Sequence, residues 1–84
     1  MALLNTDLSH QEIKETLKKC KRIFFIGIGG VSMSTIATYM HFKGYQIFGY
    51  DRERSTLCQK LESIAEIKYY STPDRVRDMD LVVY

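Results

Sequence analysis

A glycine-rich segment in the first half of the chain holds the residues best suited to chemistry. It reads FFIGIGGVSMS, from Phe24 to Ser34, and it places Gly27, Gly29 and Gly30 directly after a run of apolar residues. Glycine accepts positive φ and lets a ligand approach the backbone closely. A helix that starts behind such a turn points unpaired N–H groups at an anion. The segment therefore predicts a turn that binds a phosphate or a diphosphate.

Backbone amides are the main donors in this prediction. The third glycine of the dinucleotide pattern G-x-G-x-x-G is replaced here by Ser32, whose hydroxyl adds one further donor. The predicted diphosphate site comprises Gly27, Gly29, Gly30, Ser32, Met33 and Ser34. From the residues alone, a glycine turn that only packs a strand against a helix is the alternative.

Asp51 is the second candidate, 21 residues after Gly30 and at the end of the next predicted strand. In dinucleotide-binding folds an acidic residue at this place takes ribose hydroxyls. The alternative explanation is a solvated charge in a loop, beside Arg52, Glu53 and Arg54. Without further information, a nicotinamide or adenine dinucleotide is the leading ligand.

Composition narrows the class of protein. The chain has 84 residues, enough for one small domain, and its net charge of +2 favours neither nucleic acid nor an acidic membrane surface. The first twelve residues have no basic start and no long apolar core, so we expect no signal peptide, and no apolar run is long enough to predict a membrane span. Cys20 and Cys58 lack metal-ligand spacing and predict two reduced thiols in a cytoplasmic protein. We therefore expect no metal site, no nucleic acid partner and no membrane partner.

Strands and helices alternate along the chain and position these residues. A capping box at Ser9 and Glu12 predicts a leading helix within residues 1–20. The predicted strands are RIFFIGI, YQIFGY, EIKYY and DLVVY, and the predicted helices start near Ser32, at Ser55 and after Thr72. This alternation predicts a single α/β domain over residues 1–84, a Rossmann-like open parallel sheet of about four strands with helices on both faces.

The predicted order of the four strands is 3-2-1-4, by analogy with doubly wound folds. That order leaves the last strand, Leu81 to Tyr84, at one edge of the sheet. Exposed apolar edge strands recruit partners. The sequence therefore predicts self-association through the Leu81–Tyr84 edge.

Several segments resemble the Mur ligases. FFIGIGGVSMSTIA is similar to the opening turn of that family, F-x-G-I-G-G-x-G-M-S-G-I-A. KGYQIFGYD resembles L-G-Y-x-V-S-G-S-D, LESIAEIKYY resembles L-x-x-x-G-A-x-V-x-x-G, and MDLVVY resembles A-D-x-V-V-x. The resemblance covers about Arg22 to Tyr84, and the double glycine followed by Met-Ser is its most specific part. The chain departs from the family at Thr35, which replaces a small glycine, and at Tyr70 and Ser71, where the family usually has Gly-His.

The resemblance implies a domain that binds the UDP part of UDP-N-acetylmuramate. It implies that the glycine turn and the helix start meet the diphosphate, and that Asp51 lies near the uridine. It also implies a parent ligase of peptidoglycan synthesis, whose remaining domains use ATP and Mg²⁺ to form an acyl phosphate and couple L-alanine to it.

Catalysis is not expected within these 84 residues. They contain no P-loop pattern G-x-x-x-x-G-K-[ST] and no spacing typical of a nucleophile with its base. We therefore expect no catalytic residue and no cofactor in this domain. Two alternatives remain open: an NAD(P)-binding or nucleotide-sensing Rossmann module, and a non-catalytic interaction domain that has lost its ligand.

Overall fold

The computed structural model describes residues 2–4, 20–70 and 73–84. Its strands are β1 (Ala2–Leu4), β2 (Arg22–Ile26), β3 (Gln46–Tyr50), β4 (Ala65–Lys68) and β5 (Leu81–Val83). Its helices are α1 (Val31–Phe42), α2 (Thr56–Leu61) and a 3-10 helix (Pro73–Asp78). The predicted leading helix with its capping box lies outside the described residues, as does the predicted cap Thr72.

The described strands form one parallel sheet in the order β1-β5-β2-β3-β4. Within it the four predicted strands lie in the predicted order 3-2-1-4, because β4, β3, β2 and β5 are successive neighbours. The register places Ile23 of β2 opposite Ile47 of β3 and Leu81 of β5. The predicted Rossmann-like α/β fold is therefore confirmed.

The predicted exposed edge at Leu81–Tyr84 is wrong. The backbone of β5 pairs with β1 on one side, with Leu3 opposite Val82, and with β2 on the other, with Phe24 opposite Val82. No side chain of β5 is more than 4% exposed. A short strand from the start of the chain fills the position that was predicted to be open, so β5 has no free backbone edge for self-association.

The two faces of the sheet pack against different elements, since successive residues of a strand point to opposite faces. On one face α1 and α2 cover the main core, which contains Ile23, Phe25, Ile28, Ala37, Ile47, Cys58, Leu61, Leu81 and Val83. On the other face, Phe24 and Val82 pack with Met79, and Val76 of the 3-10 helix joins them. Helical elements thus lie on both faces, as predicted.

Gly44 terminates helix α1 two residues after its last residue, Phe42. Gly44 has φ +99°, and its N–H donates to the carbonyl of His41 at 3.0 Å. The N–H of Tyr45 donates to the carbonyl of Met40 at 3.2 Å. This pair of bonds is the Schellman arrangement, which needs a residue in the left-handed region. It returns the chain sharply to the sheet as β3.

Asp80 joins the amino ends of β2 and β5. Its Oδ2 accepts hydrogen bonds from the backbone N–H groups of Arg22 and Lys21, both at 2.9 Å. These two bonds hold the pKa of the Asp80 carboxyl below its usual value, because they favour the ionised form. This contact fixes the edge of the sheet opposite to the glycine turn.

Candidate functional site

The glycine turn leaves the carboxyl end of β2 and is bound to the end of β3. Gly27 has φ +76°, the left-handed conformation that the turn requires of glycine. The N–H groups of Gly27 and Ile28 both donate to the carbonyl of Tyr50, at 2.8 and 3.1 Å. The N–H of Gly30 then donates to the carbonyl of Gly27 at 3.1 Å. The turn is therefore closed and anchored before any ligand arrives.

Helix α1 begins at Val31, one residue before the predicted start at Ser32. Its cap residue Gly30 has extended backbone angles, φ −65° and ψ 151°, and offers no side-chain acceptor. The helix itself supplies no acceptor to the N–H groups of Val31, Ser32 and Met33. These three first-turn amides can therefore donate to an anion.

The three predicted glycines shape the site, since their own amides are engaged elsewhere. The N–H of Gly29 donates to Oδ2 of Asp51 at 2.8 Å, and those of Gly27 and Gly30 bond to backbone carbonyls. The N–H groups that can still donate to an anion are thus those of the first turn of α1 and not those of Gly29 and Gly30.

The side chains of Ser32, Met33 and Ser34 have different surroundings. Ser32 is exposed, whereas Met33 is half-buried and packs against the main core. Ser34 is only 7% exposed, and its hydroxyl donates to the carbonyl of Val31 at 3.0 Å. Of these three side chains, that of Ser32 is placed in solvent beside the first-turn amides.

Gly29 is a glycine because of space and not because of φ. A Cβ atom there would lie 2.6 Å from Sγ of Cys58, 2.7 Å from Oδ2 of Asp51 and 3.0 Å from Oγ of Ser55. Its φ is not positive, in contrast to that of Gly27. The loop that follows β3 therefore packs directly onto the glycine turn.

A second close contact, between Ile28 and Gly49, fixes the turn against β3. Ile28 is fully buried, and a Cβ atom on Gly49 would lie 2.5 Å from its Cδ1. The side chain of Ile28 thus occupies the space that any larger residue at position 49 would fill. Together with Asp51, this contact sets the turn against β3.

The loop after β3 is held by an ion pair between Arg54 and Glu62, to which Tyr69 adds a hydrogen bond. Nε and one terminal nitrogen of Arg54 each donate to the carboxylate of Glu62 at 2.8 Å. The hydroxyl of Tyr69 donates to the same carboxylate at 2.5 Å. The bonds from Arg54 and Tyr69 lower the pKa of Glu62 from 4.5 to about 2. Burial, with the bond to Glu62 adding to it, raises the pKa of Tyr69.

Replacing Glu62 by glutamine is expected to make the protein less stable at neutral pH and to remove part of its sensitivity to acid. The folded chain keeps Glu62 ionised down to about pH 2, whereas the unfolded chain protonates it near 4.5. Its stabilising effect is therefore complete above about pH 5 and lost as the pH falls through about 2. Urea unfolding of wild type and Glu62→Gln between these limits measures it.

Glu66→Gln is the matched control, because Glu66 is exposed and lies 3.8 Å from Lys68 in a surface ion pair. We expect it to change stability little at any pH. A deficit of Glu62→Gln that is as large at pH 2 as at pH 7 would contradict an ionic role for Glu62.

The described residues include no group of three or more His, Cys, Asp or Glu side chains placed to hold a metal ion. In that same part of the chain, no helix is long and apolar enough to cross a membrane. The conformation of the turn and the free first-turn amides remain the features that point to a ligand.

Fold and site together define a Rossmann-like α/β domain, with a glycine turn at the carboxyl edge of a parallel sheet. The model of the Mur ligase family, catalytic domain, matches residues 22–75. The chain belongs to the Mur ligase family.

The curated relatives described here share one name, UDP-N-acetylmuramate–L-alanine ligase. A UDP-N-acetylmuramate–L-alanine ligase of Clostridium tetani is 41% identical over 69 residues, which are 81% of this chain and 15% of that protein. The ligase of the same name from Baumannia cicadellinicola is 39% identical over 74 residues, 87% of this chain and 15% of that protein. That from Porphyromonas gingivalis is 51% identical over 41 residues, 49% of this chain and 9% of that protein. The chain thus spans about 15% of the length of the first two.

Proposed function

We propose that this chain binds the UDP part of UDP-N-acetylmuramate, as the N-terminal domain of a ligase that joins L-alanine to that sugar nucleotide. The observation that carries the proposal is the row of first-turn amides at Val31, Ser32 and Met33, which stands behind a preformed glycine turn. The choice of UDP-N-acetylmuramate as the ligand rests on membership of the Mur ligase family and on the names of the relatives.

The chemistry of the site suits a diphosphate. Three N–H groups at one helix end converge with the positive end of the helix dipole, which favours negative charge there. The exposed hydroxyl of Ser32 adds a donor beside them. The nucleoside is expected on the side of Asp51, at the carboxyl end of β3. Backbone recognition of this kind depends on the turn and tolerates serine at position 32.

Ligation itself is assigned to the rest of the parent protein, since this chain spans about 15% of the first two relatives described. In this proposal the remaining domains bind ATP and Mg²⁺ and are the partners of this domain. The reaction belongs to peptidoglycan synthesis and takes place in the bacterial cytoplasm. This domain contributes binding and orientation of the sugar nucleotide.

Replacing Val31 by proline is expected to weaken binding of UDP by about tenfold without unfolding the domain. Proline at the first helical position removes one N–H donor from the site, and its fixed φ suits a helix start. The preceding Gly30 has ψ 151°, an angle that proline tolerates in its neighbour. A hydrogen bond to a charged group supports a loss of this size. Titration of ¹⁵N-labelled protein with UDP, followed by NMR, measures it.

Val31→Ala is the matched control, because it removes an exposed side chain, 77% accessible, and keeps the N–H group. We expect its affinity for UDP to equal that of the wild type. NADH serves as the competing ligand in the same titration. Shifts of the Val31, Ser32 and Met33 amides with NADH but not with UDP would favour the nicotinamide alternative. Binding of neither nucleotide would favour the interaction-domain alternative.

A further inference from the structure

The carboxylate of Asp51 is bound at both oxygens to backbone amides of two different loops. Oδ2 accepts from the N–H of Gly29 at 2.8 Å. Oδ1 accepts from the N–H of Glu53 at 3.1 Å. The side chain is half-buried and therefore held between the glycine turn and the loop that follows β3.

We infer that Asp51 is a positioning residue for the anion site, acting on the diphosphate through the glycine turn. This inference rests on the proposed function, because it assigns a role within the same site. The bond to Asp51 fixes the peptide plane that carries the Gly29 N–H. Gly30 and the first-turn amide of Val31 follow directly, so their orientation depends on that plane.

Packing around Gly29 supports this role. Sγ of Cys58 and Oγ of Ser55 lie within 3.0 Å of the position that a Cβ on Gly29 would take, on the same side as Oδ2 of Asp51. Ser55 is itself fixed, since its Oγ accepts from the N–H of Cys58 at 3.2 Å and caps α2. The turn thus packs closely against Cys58 and Ser55 at Gly29, and the hydrogen bond to Asp51 sets its orientation there.

Asp51 has two opposite effects on the binding of an anion. Its hydrogen bond orients the turn and favours binding, whereas its negative charge disfavours binding. A carboxylate beside the turn repels a diphosphate, because like charges at short range raise the free energy of the complex. Asparagine has one acceptor oxygen, which keeps the bond from the Gly29 N–H, gives up the bond from the Glu53 N–H and removes the negative charge. Asp51→Asn is therefore expected to bind an anion as well as the wild type, or more tightly. Asp51→Ala loses the acceptor and is expected to bind it less well.

Inorganic pyrophosphate is the decisive probe, because it has no ribose and no base. We expect Asp51→Ala to bind pyrophosphate about tenfold more weakly than the wild type, and to bind UDP more weakly by a similar factor. We expect Asp51→Asn to restore both affinities to at least the wild-type level. Glu53→Gln is the control, because it removes a neighbouring exposed charge and keeps both its own N–H and the acceptor for Gly29. It measures the effect of a lost charge alone. Calorimetric titration at fixed salt measures all three variants.

Two outcomes would overturn the inference. If Asp51→Ala weakens UDP but leaves pyrophosphate unchanged, Asp51 acts on the ribose directly. If Asp51→Asn binds pyrophosphate as poorly as Asp51→Ala, the acceptor for Gly29 is not the relevant feature.

Failure of the proposed function gives a different result. In that case the wild type binds neither probe, and hydrogen exchange of the Gly29 amide decides the role of Asp51. Faster exchange in Asp51→Ala, with wild-type exchange in Asp51→Asn, supports positioning of the turn. Equal exchange in all three proteins rejects it.

Discussion

Replacing Gly29 by serine is expected to destabilise the domain by about 1–3 kcal/mol, the usual cost of overpacking a well-filled site. The added Cβ would lie 2.6 Å from Sγ of Cys58, which is fully buried, and 2.7 Å from Oδ2 of Asp51. Relief of these contacts either moves the side chains of Cys58 and Asp51, which disturbs the hydrogen bond that holds Gly29, or moves the glycine turn away from the loop after β3. The start of α1 then moves as well, so we expect weaker binding of UDP. Urea unfolding measures the first effect, and titration with UDP the second.

Gly30→Ser is the matched control, since it makes the same change one residue further on. A Cβ at position 30 meets the Gly27 carbonyl oxygen at 3.4 Å and Met33 at 4.0 Å, which are ordinary contacts. Serine is also a favourable helix cap, so we expect stability within about 0.5 kcal/mol of the wild type. Combining Gly29→Ser with Cys58→Ala should restore part of the lost stability. Equal losses at positions 29 and 30 would show that packing on Gly29 is not special.

The sequence identifies the glycine turn because its signals are local. The apolar run before Gly27, the glycine spacing and the helix that ends at Phe42, just before Gly44, each depend on residues close together in the chain. The cap of α2 at Ser55 is another local signal, and the structure confirms it with a hydrogen bond to the Cys58 N–H. Alternating strands and helices then leave few possible arrangements of a parallel sheet.

The support of the turn is not predictable from the sequence, because it depends on contacts between distant residues. The bond from Gly29 to Asp51 and the packing of Cys58 on Gly29 join the first β–α connection to the second. Glycine, aspartate and cysteine each have commoner explanations when considered alone. The sequence therefore predicts that Gly29 and Asp51 belong to one site, with the N–H of Gly29 facing the ligand. In the structure that N–H donates to Asp51 instead.

The strand β1 was missed for a different reason. Three apolar residues, Ala2–Leu4, are too few to show a periodic pattern, and their partner β5 lies at the other end of the chain. A parallel pair of this kind is created by tertiary structure, since the propensity of three residues does not determine a strand. Its presence changes the expected behaviour of β5 from that of an edge strand to that of an inner strand.

Replacing Leu81 by alanine is expected to cost about 2–5 kcal/mol of stability, the range found for a large-to-small change in a well-packed core. Leu81 is fully buried, lies opposite Ile23 in the sheet, and belongs to the main core. A domain of this size has a total stability of only about 5–15 kcal/mol, so the variant loses much of it. Urea unfolding followed by circular dichroism at low protein concentration provides the measurement.

The control is Tyr84→Ser, which alters the same end of the chain at a residue that is 52% exposed and follows β5. Its effect should stay within about 0.5 kcal/mol, because little buried surface is lost. Hydrogen exchange gives a second test, since an inner strand protects its amides in a dilute monomer as well as in a concentrated sample. The opposite result would be a small effect of Leu81→Ala, together with exchange at Leu81–Val83 that slows only as the protein concentration rises. That result would support an exposed edge at β5 that self-associates. Protection of these amides that is independent of concentration supports the pairing of β5 with β1 in solution.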